Sequence, residues 1–221
     1  MITTVVFDMD GVLCRYRRER RLALLASWSG QTPEAIRDAI WGSGFEDEAE
    51  RGCLSADEYL QGFGKRMGYP LSAEQWVEAR RVAIEPDPAV LSLARQLGAV
   101  RPVGMFTNNP LLLQRHIAVV FPAVAEIFGD RAVFSSELGK TKPDPDAFRR
   151  LAARLAVAPE GILYFDDDGP TWRVLARAAS GRSTSAAPTE CGPAWLHTAW
   201  TSRSRGMRSP GLSNDPGRRA A

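Results

Sequence analysis

Ile2-Thr3-Thr4-Val5-Val6-Phe7-Asp8-Met9-Asp10-Gly11-Val12 opens the chain with a short apolar run that stops abruptly at two carboxylates. Continuous rather than alternating, such a run predicts a strand buried on both faces, as in a parallel sheet with helices on either side. Three further runs have the same form and the same ending. Val103-Gly104-Met105-Phe106 leads into Thr107, Ala132-Val133-Phe134 into Ser135, and Ile162-Leu163-Tyr164-Phe165 into Asp166. Helix starts lie between them: Asp87-Pro88, Asn109-Pro110 and Asp144-Pro145 each read as a cap followed by proline in the first turn. The alternation predicts an α/β fold with a Rossmann-like, doubly wound parallel sheet. Ligands of such sheets bind outside the carboxyl ends of the strands. All four polar clusters fall there.

Between the first strand and Pro86 the pattern is helical throughout, with no convincing strand. Ser55-Ala56-Asp57-Glu58 and Ser72-Ala73-Glu74-Gln75 read as capping boxes, Thr32-Pro33-Glu34 as another helix start. Trp76, Val77, Ala83 and Ile84 give the last of these helices an apolar side. The expected organisation is a core of residues 1–14 and 86–180 and an inserted helical cap of residues 15–85. From about Ser180 the patterning stops and Ser, Thr, Gly, Pro and Arg dominate. Residues 181–221 are therefore expected to be an atypical, poorly ordered tail, as in a truncated or degraded carboxyl end.

Composition narrows the class. A formal net charge of +2 points to no polyanionic partner, so nucleic acid is not expected. No apolar run is long enough to cross a bilayer, and the apolar start is too short for a signal peptide. Cys14, Cys53 and Cys191 show neither metal-ligand spacing nor a paired framework, so a reducing cytoplasm is the expected compartment. Oligomeric state leaves no mark in the sequence.

The polar clusters carry the chemistry. Asp8 and Asp10 place two carboxylates one residue apart at the end of a buried strand. Phosphoryl transfer needs an oxygen nucleophile, and a carboxylate supplies one without first losing a proton at neutral pH. A second carboxyl group can protonate the leaving oxygen, then deprotonate the water that cleaves the acyl phosphate. Thr107-Asn108-Asn109 offers a hydroxyl and backbone amides to phosphoryl oxygens, although Asn109-Pro110 would cap the next helix whatever the function. Lysine is rare here, restricted to Lys65, Lys140 and Lys142. Lys142, held stiffly before Pro143, is the candidate to touch both nucleophile and phosphoryl group, with Lys140 a solvated loop residue. Asp166, Asp167 and Asp168 repel one another unless a cation sits among them, and hard oxygen ligands beside a phosphate suit magnesium. Asp167 is the candidate ligand; Asp168 reads as the cap of a helix opening near Pro170.

In this order, FDMDGV, TNN, LGKTKPDPDAF and YFDDDGP resemble the four motifs of the haloacid dehalogenase superfamily, over about residues 1–179. A helical insertion after the first motif resembles the subgroup with a small helical cap. The stretch GFEDEAERGCLSADEYL is similar to the branch that contains sugar-phosphate phosphatases and the phosphatase domain of soluble epoxide hydrolases. The resemblance implies a magnesium-dependent phosphatase acting on a small-molecule phosphate ester, such as a sugar phosphate, through an aspartyl-phosphate. It implies Asp8 as nucleophile and metal ligand, and Asp10 as general acid/base that binds magnesium through its backbone carbonyl. Thr107 and Asn108 would hold the phosphoryl group. Lys142 would neutralise it and orient Asp8, Asp167 would ligate magnesium directly, and Asp166 would do so through water. The chain departs from that pattern at Asp168, where Ser or Asn is usual, at Thr171, where Asn is common, and after Ser180, where a further strand and helix are missing.

Rival readings meet specific obstacles. A dehalogenase proper needs no metal and lacks the second Asp, so Asp10 and the acidic cluster oppose it. A phosphoglucomutase-like transferase shares the motifs, but the cap contains no histidine. A receiver domain places its acidic pair before the phosphorylated Asp, the reverse of this order. A non-catalytic phosphate- or phosphoprotein-binding module is the reading from a different class. His116 reads as a satisfied surface histidine, Cys14 as a buried residue, Arg15, Arg17 and Arg18 as a solvated helix face able to attract an anion, and Arg51 as another candidate contact.

Overall fold

The structure, a computed structural model, describes residues 1–167. The four apolar runs form one sheet: β1 (Thr4–Phe7), β4 (Val103–Thr107), β5 (Ala132–Phe134) and β6 (Ile162–Phe165). Their order is β5-β4-β1-β6, with every pairing parallel. The register sets Phe7 beside Met105 and Phe165, and Thr107 beside Phe134. Asp8, Thr107, Ser135 and Asp166 thus emerge together at the carboxyl ends of the strands, with β1 between the two directions of winding.

Alternation along the strands supplies two buried faces. Val5, Phe7, Val103 and Met105 point to one side, with α6 (Pro88–Gly98), α7 (Leu111–Val120) and α8 (Pro122–Phe128). Val6, Phe106, Val133 and Tyr164 point to the other, against Phe148 and Leu151 of α10 (Pro145–Arg154). A four-residue helix, α9 (Ser135–Leu138), follows β5 directly. The expectation of strands buried on both faces holds for β1 and β4. It does not hold for β6, where Leu163 and Phe165 are each 42% exposed. At the edge of the described sheet only alternate residues, Ile162 and Tyr164, are covered.

Caps form where the sequence places most of them. Asp87 accepts from the N–H groups of Ala89 and Val90, and Asp144 from that of Asp146. Asn109-Pro110 is a correction: α7 begins after Pro110 with no side-chain cap. Asn109 has stronger partners elsewhere, described below.

The segment between β1 and β4 is helical but not wholly so. β2 (Cys14–Tyr16) and β3 (Ile84–Pro86) pair antiparallel and bring its two ends together, with Arg15 opposite Glu85. These strands have three residues each and a charge at the centre, which is why no apolar run announces them. Between them lie α1 (Arg18–Ser29), α2 (Pro33–Arg37), a π-helical turn at Asp38–Gly42, α3 (Phe45–Glu50), α4 (Ala56–Met67) and α5 (Ala73–Arg81). Both capping boxes are present: Ser55 with Glu58 opens α4, and Ser72 with Gln75 opens α5. Each is worth about 1 kcal/mol. Thr32 accepts from the Ala35 N–H at the start of α2. An aromatic cluster holds the segment together: Tyr59 stacks on Phe45 at 5.3 Å and meets Phe63 and Trp76 edge-on at 5.8 and 6.0 Å. Among the described residues no single helix is long and apolar enough to cross a membrane. The readings of Asp168, Thr171 and residues 181–221 lie outside the described residues.

Candidate active site

β1 ends by delivering Asp8, 7% exposed, to the floor of a cavity. Asp8 Oδ1 accepts from the backbone N–H of Met9 at 2.7 Å, and Oδ2 meets Lys142 Nζ at 2.7 Å. Burial pushes the Asp8 carboxyl up to about 7, and the charge of Asp166 pushes the same way, while Lys142 pulls it down. Without a metal its carboxyl is thus less readily ionised than the sequence reading supposed.

Lys142 is fixed on every side. Its Nζ reaches Asp8, Asp166 at 3.1 Å and the Tyr164 hydroxyl at 2.8 Å. Its backbone is clasped by Asn108, whose Oδ1 accepts from Lys142 N at 2.9 Å and whose Nδ2 donates to Lys142 O at 3.0 Å. The Asn108 side chain is thereby committed to holding the lysine. Lys140 turns away to Asp144 at 3.2 Å.

Thr107 ends β4 with 1% exposure, and its Oγ1 accepts from Asn109 Nδ2 at 2.7 Å. Asn109 also donates from Nδ2 to Asp10 Oδ2 at 3.3 Å. This is what occupies Asn109 in place of capping α7.

Asp10 sits two residues beyond Asp8, just before the chain turns at Gly11, φ +94°. Its Oδ2 is held by Arg80 Nη2 at 2.6 Å, and the same nitrogen donates to Asn109 Oδ1 at 3.1 Å. Arg80 is 3% exposed and lies over Tyr16, 4.1 Å from the ring centroid. Burial works against its charged form, but Asp10 and Tyr16 outweigh this and hold it firmly protonated.

Asp8, Asp166 and Asp167 each offer a carboxylate oxygen within 4.8 Å of the others. Three hard anionic oxygens, with Lys142 on two of the residues, fit a small divalent cation such as magnesium. The Asp10 carboxylate is not in that group, being turned to Arg80.

Above these residues a cavity of about 310 Å³ extends to the inserted segment, where Tyr16, Arg18, Arg21, Trp41, Glu46 and Glu50 wall it. Burial, with Glu46 and Asp47 beside it, raises the Glu50 carboxyl to about 9. Of the arginines read as a solvated face, Arg18 does wall the cavity, stacked 5.1 Å over Trp41. Arg17 instead pairs with Glu85 at 2.8 Å, and Arg15 is exposed on β2. His116 lies half-buried on α7, away from this cavity.

Sequence reasoning missed Arg80, Arg21, Tyr16, Trp41, Glu46 and Glu50. A signal existed for the first two. Arg80 is four residues after Trp76 and next to Ala79, on the face that α5 buries, and Arg21 stands four before Leu25 on the buried face of α1. A charge on an apolar face needs a partner.

Known proteins resemble this chain in sequence and in fold. A phosphatase of Mycobacterium tuberculosis is 29% identical over 204 residues, covering 82% of this chain and 86% of that protein. D-ribitol-5-phosphate phosphatase of Bacteroides thetaiotaomicron is 26% identical over 176 residues, covering 76% of this chain and 84% of that protein. The fold matches a haloacid dehalogenase (HAD) family enzyme of Bacteroides thetaiotaomicron, solved with magnesium and inorganic phosphate, with a TM-score of 0.66 at 20% identity over 84% of this chain and 98% of that one. The model of the haloacid dehalogenase-like hydrolase family matches residues 2–178, and the chain belongs to that family.

Proposed function

We propose that the protein is a magnesium-dependent phosphatase that hydrolyses a small phosphorylated metabolite, of the sugar- or polyol-phosphate class, through an aspartyl-phosphate on Asp8. The observation that carries this reading is the Asp8–Lys142 contact beside Asp166 and Asp167, with Asp10 two residues on. Asp8 Oδ attacks phosphorus and the ester P–O bond breaks. Asp10 gives its proton to the departing alkoxide oxygen. Arg80 and Asn109 hold Oδ2 of Asp10, and Oδ1, which faces the Cys14 thiol at 3.6 Å, is the oxygen that carries that proton. Asp10 then takes a proton from the water that attacks phosphorus, and cleavage of the acyl phosphate releases inorganic phosphate and restores Asp8. Lys142 orients Asp8 and offsets phosphoryl charge, with the Thr107 hydroxyl and the backbone N–H of Asn108 as further donors. Asp8, Asp166, Asp167 and the backbone carbonyl of Asp10 would hold magnesium, which supplies neutralisation of the phosphoryl oxygens.

Residues 15–85 act in this reading as a cap that excludes water and surrounds the leaving group. Its wall mixes donors and acceptors, which supports a hydroxylated leaving group, and the phosphatase relatives support the reaction. The test is phosphate release from a panel of small phosphate esters, with magnesium and with chelator, beside Asp8→Asn. Expected is metal-dependent release that falls at least ~1,000-fold in the variant, about 4 kcal/mol of transition-state stabilisation. Retention of most activity by Asp8→Asn would refute the mechanism.

A further inference from the structure

Arg21 projects from the buried face of α1 and is 2% exposed. The rings of Trp41, Phe63 and Trp76 surround its guanidinium, with centroids at 5.4, 5.3 and 5.2 Å. Its Nη1 donates to the Tyr16 hydroxyl at 3.0 Å. Among the described residues, Nε and Nη2 have no hydrogen-bond partner. Aromatic faces attract the charge but are poor acceptors, so a buried guanidinium left in this way carries a desolvation cost that nothing in its surroundings repays in full. Arg21 also lines the cavity that has Asp8 on its floor.

Glu46, on α3, lines the same cavity and is 6% exposed. The Tyr59 hydroxyl donates to its Oε2 at 2.6 Å. Glu50 stands one turn further along α3, also on the wall. A guanidinium donor beside a carboxylate acceptor, Glu46, complements hydroxyl groups, which donate and accept through the same atom. A carboxylate or second phosphate on the leaving group would be drawn to Arg21 but opposed by the Glu46 carboxylate. A purely apolar leaving group would leave both unanswered.

We propose that Arg21 and Glu46 form the subsite that reads hydroxyl groups of the leaving group, and so determine which phosphate ester is chosen. This rests on the phosphatase reading above. Arg21 and Glu46 stay remote from the phosphorus and take no part in bond breaking; they set the position of the ester oxygen by holding the far end of the molecule.

The experiment compares the full chain with Arg21→Lys and Glu46→Gln on three esters: a pentitol 5-phosphate, phosphoglycolate and phenyl phosphate. The wild type is expected to favour the pentitol phosphate. In Arg21→Lys the pentitol-to-phenyl ratio of kcat/KM falls on the order of 30-fold, through both KM and kcat. Glu46→Gln keeps an acceptor for Tyr59, and there the ratio falls roughly 10-fold. Should Arg21→Lys fail to fold, the Glu46→Gln ratio decides alone. Equal losses on pentitol and phenyl esters, accompanied by a lower Tm, would make Arg21 a packing residue and overturn the proposal. A wild type that turns over phenyl phosphate as well as the pentitol ester, or prefers phosphoglycolate, overturns it while the phosphatase reading stands. Hydrolysis of no ester at all removes that reading, and the subsite with it.

Discussion

Arg80→Met separates the charge of this residue from its bulk, because Met retains a flexible stem of similar length but donates no hydrogen bond. Three interactions are lost. The first is the charge-assisted bond to Asp10 at 2.6 Å, between a 3% exposed guanidinium and a carboxylate side chain that is 28% exposed. Water reaches the acid, so the lower end of the range applies, ~1.5 kcal/mol. The bond to Asn109 at 3.1 Å adds ~1 kcal/mol. The stacking over Tyr16 at 4.1 Å adds roughly another. Relief from burying a cation offsets part of this, leaving about 3 kcal/mol of destabilisation. For a chain of this size that corresponds to a fall in Tm of roughly 6–12 °C. Thermal unfolding in metal-free buffer measures it, and a cycle with Asp10→Asn tests the attribution. The pair should be non-additive by about 1–2 kcal/mol, since the contact can be lost only once. Activity should fall further than stability, because Asp10 loses the group that fixes its Oδ2. A single variant within ~0.5 kcal/mol of wild type, with an additive cycle, would show that this ion pair holds nothing.

Two further substitutions probe other parts of the site. A Cβ at Gly11 would overlap the Asp167 carboxylate, and φ there is +94°. Asp167 is exposed and can swing aside, so Gly11→Ala should cost only ~1 kcal/mol of stability. Its magnesium affinity, read by calorimetric titration, should fall on the order of 10-fold or more; unchanged affinity would remove Asp167 from the metal site. Glu50 has its carboxyl raised from the ordinary 4.5 to about 9. Folding therefore favours its protonated form, a contribution complete below about pH 4.5 and lost as pH rises toward 9. Glu50→Gln does not titrate, so its Tm advantage over wild type in metal-free buffer should widen from pH 5 to pH 9. A difference constant across that range would mean that Glu50 is not buried against its charge.

The sheet was legible because its determinants are local. A strand covered on two faces must be apolar at successive positions, and β1, β4 and β5 announce themselves in that way. Asp8, Lys142 and the acidic pair were legible for a related reason: each stands at the end of such a run or before a proline that stiffens its loop. The π-helical turn and the β2–β3 ribbon were not, since their geometry comes from what they pack against. Asn109 shows the limit most clearly. Asn before Pro is a sound cap signal, and a helix does begin there, yet the amide serves Thr107, Asp10 and Arg80 instead. A local preference worth about 1 kcal/mol loses to three partners, two of them, Thr107 and Arg80, buried.

Arg80 shows how the remainder could be reached. It lies 70 residues from the acid it holds, so no window of sequence contains both. Each nevertheless leaves half of a statement. Trp76 and Ala79 define the face that α5 buries, and a charge beside them is costly unless an opposite charge comes to meet it. Asp10, at the open end of a parallel sheet, is an acid whose neighbour Asp8 already has the only lysine at hand among the described residues. A buried cation in the inserted segment and an acid without its own counter-ion in the core imply one another, and joining them places α5 over the carboxyl end of β1. The same logic applied to Arg21, on the buried face of α1, meets Tyr16 and then stops two nitrogens short of completion. One arginine is answered from within the protein. The other, on the same cavity wall, is left for the molecule that enters.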